Sequence, residues 1–239
     1  MCGRYTLFTP QPELEERFGA HARGEIEARY NCAPSQQLPV VTNDEPEVLR
    51  SLRWGLIPSW ADDDSTSFIN ARSESAREKR SFREAFERRR CLVPADGFYE
   101  WVERAGGKQP YRVAFEDDRP FALAGLWERW RPPQVQTGLD AFGGGAGGDD
   151  ADETDGDDGI VESFTILTTE PNDLVADLHH RMAVILDPEE EATWLHGDAD
   201  EAADVLGPCP DDELVAYPVS TRVNSPANDD PSLIDPVEA

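Results

Sequence analysis

Four residue types in this sequence stand where they could do chemistry. Cys2 comes first. A small residue at position 2 permits removal of the initiator Met1, so the mature chain is expected to begin with cysteine. One residue then carries a primary amine that ordinarily titrates at about 7.7–8.0 and a thiol at about 8.5, and both nucleophiles are partly available near neutrality. A 1,2-aminothiol captures an aldehyde in two steps. The amine condenses to an imine, and the thiolate then adds to the imine carbon and closes a five-membered thiazolidine. From position alone, a buried cysteine of no consequence is the better reading.

Glu100 lies in LVPADGFYEWV. On a strand, Phe98, Glu100 and Val102 share one face, and Tyr99 and Trp101 share the other. A carboxylate on an apolar face is pushed up in pKa, as acid–base work near pH 7 requires. An edge-strand Glu paired with Arg would show the same periodicity. His179 and His180 stand in DLHHRMAVIL, before an apolar strand. A histidine there can shuttle protons or cap backbone, and in extended chain only one of the two can face a given site. Asn70, in SFINARSE, falls in a loop that enters a basic helix; its amide can orient a nucleophile or stabilise the turn.

These residues need a scaffold, and composition bounds it. The chain has 239 residues, 38% of them hydrophobic, with six Trp, which is enough for one real core. No apolar run reaches the length of a membrane helix, and the N-terminus lacks a signal-peptide stretch. A cytoplasmic protein without membrane association is expected, and a monomer. Cys2, Cys32, Cys91 and Cys209 are scattered with no CxxC pair, so neither a metal site nor another cofactor is expected.

Net charge is −27, and only Lys79 and Lys108 among the bases are lysine. An acidic, lysine-poor surface suits salt-rich cytoplasm, where repulsion is screened; a halophile's surface is expected. The acid is uneven. Residues 72–90 carry eight bases (Arg72, Arg77, Lys79, Arg80, Arg83, Arg88, Arg89, Arg90) against four acids, whereas 149–158 carry seven acids and no base. A solvated helix face, with pairs such as Glu84–Arg88, explains the basic segment less well than a binding role.

The pattern predicts helices over 11–19, 74–89, 188–196 and 200–206. It predicts strands over 38–42, 47–54, 91–93, 97–103, 111–116, 183–187 and 214–219. Residues 132–159, rich in Gly and Asp, read as a disordered acidic insertion, an overgrown loop between two paired strands. The fold expected is α+β: a single domain over 1–239 with a curled, mainly antiparallel, barrel-like sheet flanked by helices.

Seven blocks occur in order: MCGRY at 1–5, YNCAPSQ at 30–36, RWGLIPSWA at 53–61, INARSE at 69–74, RCLVPADGFYEW at 90–101, LHHRM at 178–182 and VSTRVN at 219–224. Together they closely resemble the SRAP family, the SOS-response-associated peptidases or abasic-site processing proteins, over the whole chain except 132–159. The resemblance implies a sensor of abasic sites in single-stranded DNA. It would form a covalent thiazolidine crosslink through Cys2 and so shield the site during the DNA damage response, a lyase-like activity. Any peptidase or hydrolase activity would act on Met1. By the same resemblance Cys2 is the nucleophile, Asn70 positions it, Glu100 is the acid–base residue, and the H-x-R-M pattern selects His179. Arg4, Trp60, Arg72, Arg80 and Thr168 match positions that hold DNA phosphates or stack near the lesion. Ala183 stands where the family pattern has Pro. The competing readings are an N-terminal-cysteine amidotransferase or peptidase, in which Cys2 attacks an amide, and a plain single-stranded-DNA binder.

Overall fold

A computed structural model describes residues 3–104, 106–133 and 159–238. In chain order the first elements are β1 (Tyr5–Leu7), α1 (Gln11–Phe18), β2 (His21–Ala22), β3 (Arg29–Cys32), β4 (Gln37–Thr42), β5 (Glu45–Trp54) and β6 (Asn70–Arg72). Next come α2 (Ser73–Ala76), α3 (Arg83–Arg88), β7 (Arg90–Ala95), β8 (Gly97–Arg104), β9 (Gly107–Phe115), β10 (Phe121–Trp130) and β11 (Val161–Thr169). The last are α4 (Asp173–Ala176), β12 (Met182–Ala183), β13 (Ile185–Leu186), α5 (Glu191–His196), α6 (Ala199–Asp204) and β14 (Leu214–Pro218).

The strands β5-β4-β7-β10-β11 follow one another antiparallel, and β11 then meets β5 in parallel, which closes a five-stranded barrel. Its inward positions are Val, Leu, Phe and Trp, among them Leu52, Trp54, Val93, Leu123 and Phe164, all buried. A closed barrel removes the sheet edges that would otherwise need covering. A second antiparallel sheet, β14-β9-β8-β1-β3, packs beside it. The α+β domain with a barrel-like sheet is as expected.

Helix α1 ends where Gly19 adopts φ 60 and its N–H bonds back to Glu16, a left-handed stop that glycine makes without steric cost. Gly97 has a different reason. A Cβ there would stand 2.9 Å from Arg112 Nε and 3.0 Å from Val113 O, so the Gly of GFYEW lets the buried Arg112 cross the strand.

Three local expectations are corrected. The helix expected over 74–89 is two short pieces, α2 and α3, with turns between. Ala76 is buried, and so are Phe82 and Phe86, which bind different aromatic partners: Phe82 meets Phe68 edge-on at 5.3 Å, and Phe86 meets Trp194 at 5.7 Å. Six positions place Ala76 and Phe82 about 120° apart around a helix, and the turns over 77–82 let both face the core. Glu84, which the disfavoured solvated-face reading would pair with Arg88, pairs with Arg89 at 3.3 Å. The strand over 183–187 is split at Val184, whose N–H bonds Leu167 O while its O accepts from Ala124 N. His179 and His180 follow the α4 turn rather than an extended segment, and their rings lie 4.2 Å apart.

Strands β10 and β11 pair as a hairpin up to Trp130 opposite Val161, the neighbouring-strand pairing expected around the long acidic loop. Residues 134–158 of that loop lie outside the described residues.

Candidate active site

Strand β8 is the site's foundation. On one side β9 pairs with it from Phe98 to Arg104. On the other, β1 covers only its start, with Tyr5 opposite Phe98 and Thr6 opposite Gly97; Tyr99 N–H then donates to Arg4 O at 3.0 Å. The chain therefore runs N-terminally along β8 toward Glu100, and Gly3 is the first described residue on that path.

Glu100 is 1% exposed. Burial pushes its carboxyl up from 4.5 to about 7, because the anion loses its hydration. A cleft of about 420 Å³ is lined by Glu100, Trp101, Lys108, His179 and Asn224. The two acid–base candidates expected from sequence thus share one cavity, although 79 positions separate them in the chain.

His179 is held from both sides. Its N–H donates to Val175 O at 2.8 Å, at the end of α4. Its Nδ1 lies 3.1 Å from both the N and the O of Arg181, which fixes the ring against that backbone. Burial lowers its pKa, which favours the neutral ring near pH 7. His180 is exposed and does not line the cleft.

Arg181 braces the turn. Its guanidinium bonds both Glu74 oxygens, at 2.6 and 2.9 Å, and Thr168 O at 2.5 Å. Thr168 is fully buried, its hydroxyl 3.4 Å from Ala71 O and from Arg181 Nη2. Thr168, which the resemblance places among the DNA contacts, stands here beneath the histidine turn and beside Arg181. Asn70 opens β6, opposite Ile166, and Arg72 ends it, opposite Thr168. Asn70 thus sits on a short strand, not the expected loop.

Arg4 points inward. Its Nη1 donates to Asn31 Oδ1 at 2.9 Å and Val223 O at 2.7 Å, so it anchors the turn over Thr221–Asn224. Trp60 and Arg80 do come together on the surface. Trp60 is 39% exposed, and the Arg80 guanidinium lies 4.8 Å above its ring. Of the eight bases over 72–90, three are used internally. Arg90 is buried against Phe86 O and Gly197 O, Arg89 pairs with Glu128, and Arg77 pairs with Asp200. Arg72, Lys79, Arg80, Arg83 and Arg88 are exposed.

Cys2, the expected nucleophile, lies outside the described residues. Sequence reasoning missed Trp101, Lys108, Asn224 and Arg181 as parts of this site. Trp101, Arg181 and Asn224 lie within GFYEW, H-x-R-M and VSTRVN, so the motifs held the signal without assigning it.

A family model for SOS response associated peptidase (SRAP) matches residues 1–226. The chain belongs to the SRAP family. Among this SRAP protein's relatives is the abasic site processing protein YoqW of Bacillus subtilis, 39% identical, with 98% of this chain and 99% of that protein covered. The abasic site processing protein HMCES of Gallus gallus is 31% identical over 90% of this chain and 68% of its own. A crystal structure of a protein from Bacteroides thetaiotaomicron superposes with a TM-score of 0.80 at 25% identity, covering 99% of the SRAP chain here and all of that one.

Proposed function

We propose that this protein senses abasic sites in single-stranded DNA and captures them covalently through Cys2. The observation that carries the reading is the cleft beside β8, which a buried carboxyl poised near neutrality shares with a histidine that burial keeps neutral near pH 7. The N-terminal strand runs into that cleft. The curated relatives' names give the substrate class.

The chemistry follows from the groups. The Cys2 amine adds to the ring-opened sugar's aldehyde carbon. Protonated Glu100 donates to the departing hydroxyl, and one water is lost as the imine forms. The thiolate then adds to the imine carbon, and the thiazolidine holds sulfur and nitrogen on one carbon. His179 moves the proton as the sugar ring opens. Asn70 positions the Cys2 amine. Trp60 offers a stacking face, and Arg72 and Arg80 supply phosphate contacts. Arg4 acts through the 221–224 turn it anchors.

The activity is lyase-like crosslinking by a monomer. Peptidase activity, in this reading, is confined to release of Met1, which exposes the aminothiol. The adduct shields the lesion during damage repair. The acidic, lysine-poor surface fits concentrated salt, where self-repulsion is screened. Incubation with an abasic single-stranded oligonucleotide, followed by a denaturing gel, tests the reading. A retarded covalent band is expected with abasic DNA and none with intact DNA; equal bands, or none, would refute it.

A further inference from the structure

Trp101, Lys108 and Asn224 line the cleft but take no part in the chemistry above. Alternation along β8 sends Trp101 to the face opposite Glu100. Lys108 shares that face, since it stands opposite Glu103 in the β8–β9 ladder. The cleft therefore has two walls, one on each face of the β8 edge: Glu100 on one, Trp101 and Lys108 on the other.

The second wall offers donors. Trp101 Nε1 donates to Asn224 Oδ1 at 2.7 Å, which occupies the amide oxygen and leaves the Nδ2 protons as the group that can meet a ligand. The turn that delivers Asn224 is fixed in its own right. Arg4 Nη1 donates to Val223 O at 2.7 Å, and Asn31 Nδ2 reaches Ser225 O at 3.0 Å and Asn228 O at 2.8 Å. Lys108 is exposed and is one of two lysines in a chain of net charge −27. Its facing residue Glu103 forms no ion pair with it among the described residues. In so acidic a protein, a lysine that lines a cleft and forms no ion pair among the described residues is informative.

We propose that Lys108 and Asn224 form a phosphodiester subsite, which holds the backbone phosphate next to the abasic sugar, with Trp101 as the positioning residue that sets the Asn224 amide. A phosphodiester only accepts hydrogen bonds and carries negative charge, so a donor-only wall with one ammonium is complementary to it. A sugar hydroxyl would need acceptors as well as donors. The proposal rests on the reading of the cleft given under Proposed function. It adds a second function to the cleft: one wall reacts with the aldehyde, and the other holds the DNA that carries it.

The test compares two aldehydes, an abasic single-stranded oligonucleotide and free 2-deoxyribose, which has no phosphate. Lys108→Ala and Asn224→Ala should each raise the oligonucleotide concentration for half-maximal crosslinking about five- to tenfold. The maximal rate, and the rate with 2-deoxyribose, should be unchanged. Lys108→Ala should also flatten the slope of log affinity against log salt by about 0.7, the value for one phosphate contact on a single strand. Lys108→Arg should restore both quantities. Trp101→Phe should weaken the oligonucleotide like Asn224→Ala but to a smaller degree, since it frees the amide to turn. An unchanged half-saturation in both alanine variants would overturn the subsite, as would equal slowing with both aldehydes. If the wild type crosslinks neither aldehyde, the function reading fails instead. The subsite is then judged by fluorescence anisotropy on unmodified single-stranded DNA, where the same two variants should bind more weakly and unchanged binding would overturn it.

Discussion

Replacing Glu100 by Gln should make the protein more stable and slower at once. Glu100 is buried, and its carboxyl is raised from 4.5 to about 7 by loss of hydration. A rise of that size corresponds to about 3 kcal/mol, at about 1.4 kcal/mol per pH unit. The sign follows from linkage. The folded state keeps the proton in a range where the unfolded state has lost it, so stability is complete below about 4.5 and falls as pH rises to about 7. Above that it stays lowered. Glutamine is neutral throughout, so Glu100→Gln should match the wild type near pH 4 and exceed it by up to about 3 kcal/mol at pH 8, or about 6–12 °C in melting temperature. Urea unfolding at fixed salt, followed by fluorescence across that range, reads the difference. The same variant should lose the inflection near pH 7 in its crosslinking rate and fall about 10²–10⁴-fold, as for an absent general acid. A stability difference that does not change with pH would show that the carboxyl is not desolvated, and the reasoning would fail at its root.

His179→Ala should slow crosslinking by about 10²–10⁴-fold without abolishing it. His180→Ala, which loses only the ring contact at 4.2 Å, should cost less than tenfold; rate measurements on the two variants check the assignment, and the reverse order would refute it. Trp60→Ala should weaken binding to single-stranded DNA by about 1–3 kcal/mol in anisotropy, the range for one stacked base. An unchanged affinity would mean the Arg80-capped ring is only a surface contact. Deletion of 135–158, bridged by a short turn, should leave melting temperature and crosslinking near wild type, because β10 and β11 are already in register to Trp130 and Val161. A fall of several degrees would show that the acidic loop packs on the domain.

What the sequence made legible divides by physical cause. Strands 38–42, 47–54, 97–103 and 111–116 could be read because alternation and short turns are local signals, and they appear as β4, β5, β8 and β9. Helix α1 could be read from its terminal Gly19. Closure of the barrel through β11 and β5 could not, since a parallel pairing of residues more than a hundred positions apart leaves no local pattern. The break between α2 and α3 was hidden because Phe82 and Phe86 do stand at helical spacing and share a turn, Phe86 N–H bonding Phe82 O; the turns lie before them, over 77–82, where no glycine or proline marks them. Glu100 and His179 stood out in their motifs by residue type, but that they line one cleft was not legible. The contact of Thr168 with Arg181 was not legible, because a strand residue's type does not say which side chain it meets. The Trp101–Asn224 bond was invisible because it joins the ends of two motifs 123 positions apart.

The central claim is that the Cys2 amine and thiol together capture the aldehyde. Intact-mass spectrometry of the purified protein, before and after incubation with an abasic oligonucleotide and without any reductant, tests it most directly. The account predicts that the protein alone lacks Met1. It predicts that the adduct weighs the sum of protein and DNA less one water, survives denaturation, maps to the N-terminal peptide and is absent from Cys2→Ala. An adduct of undiminished yield in Cys2→Ala, or one that survives only after borohydride reduction and maps to a lysine, would contradict it.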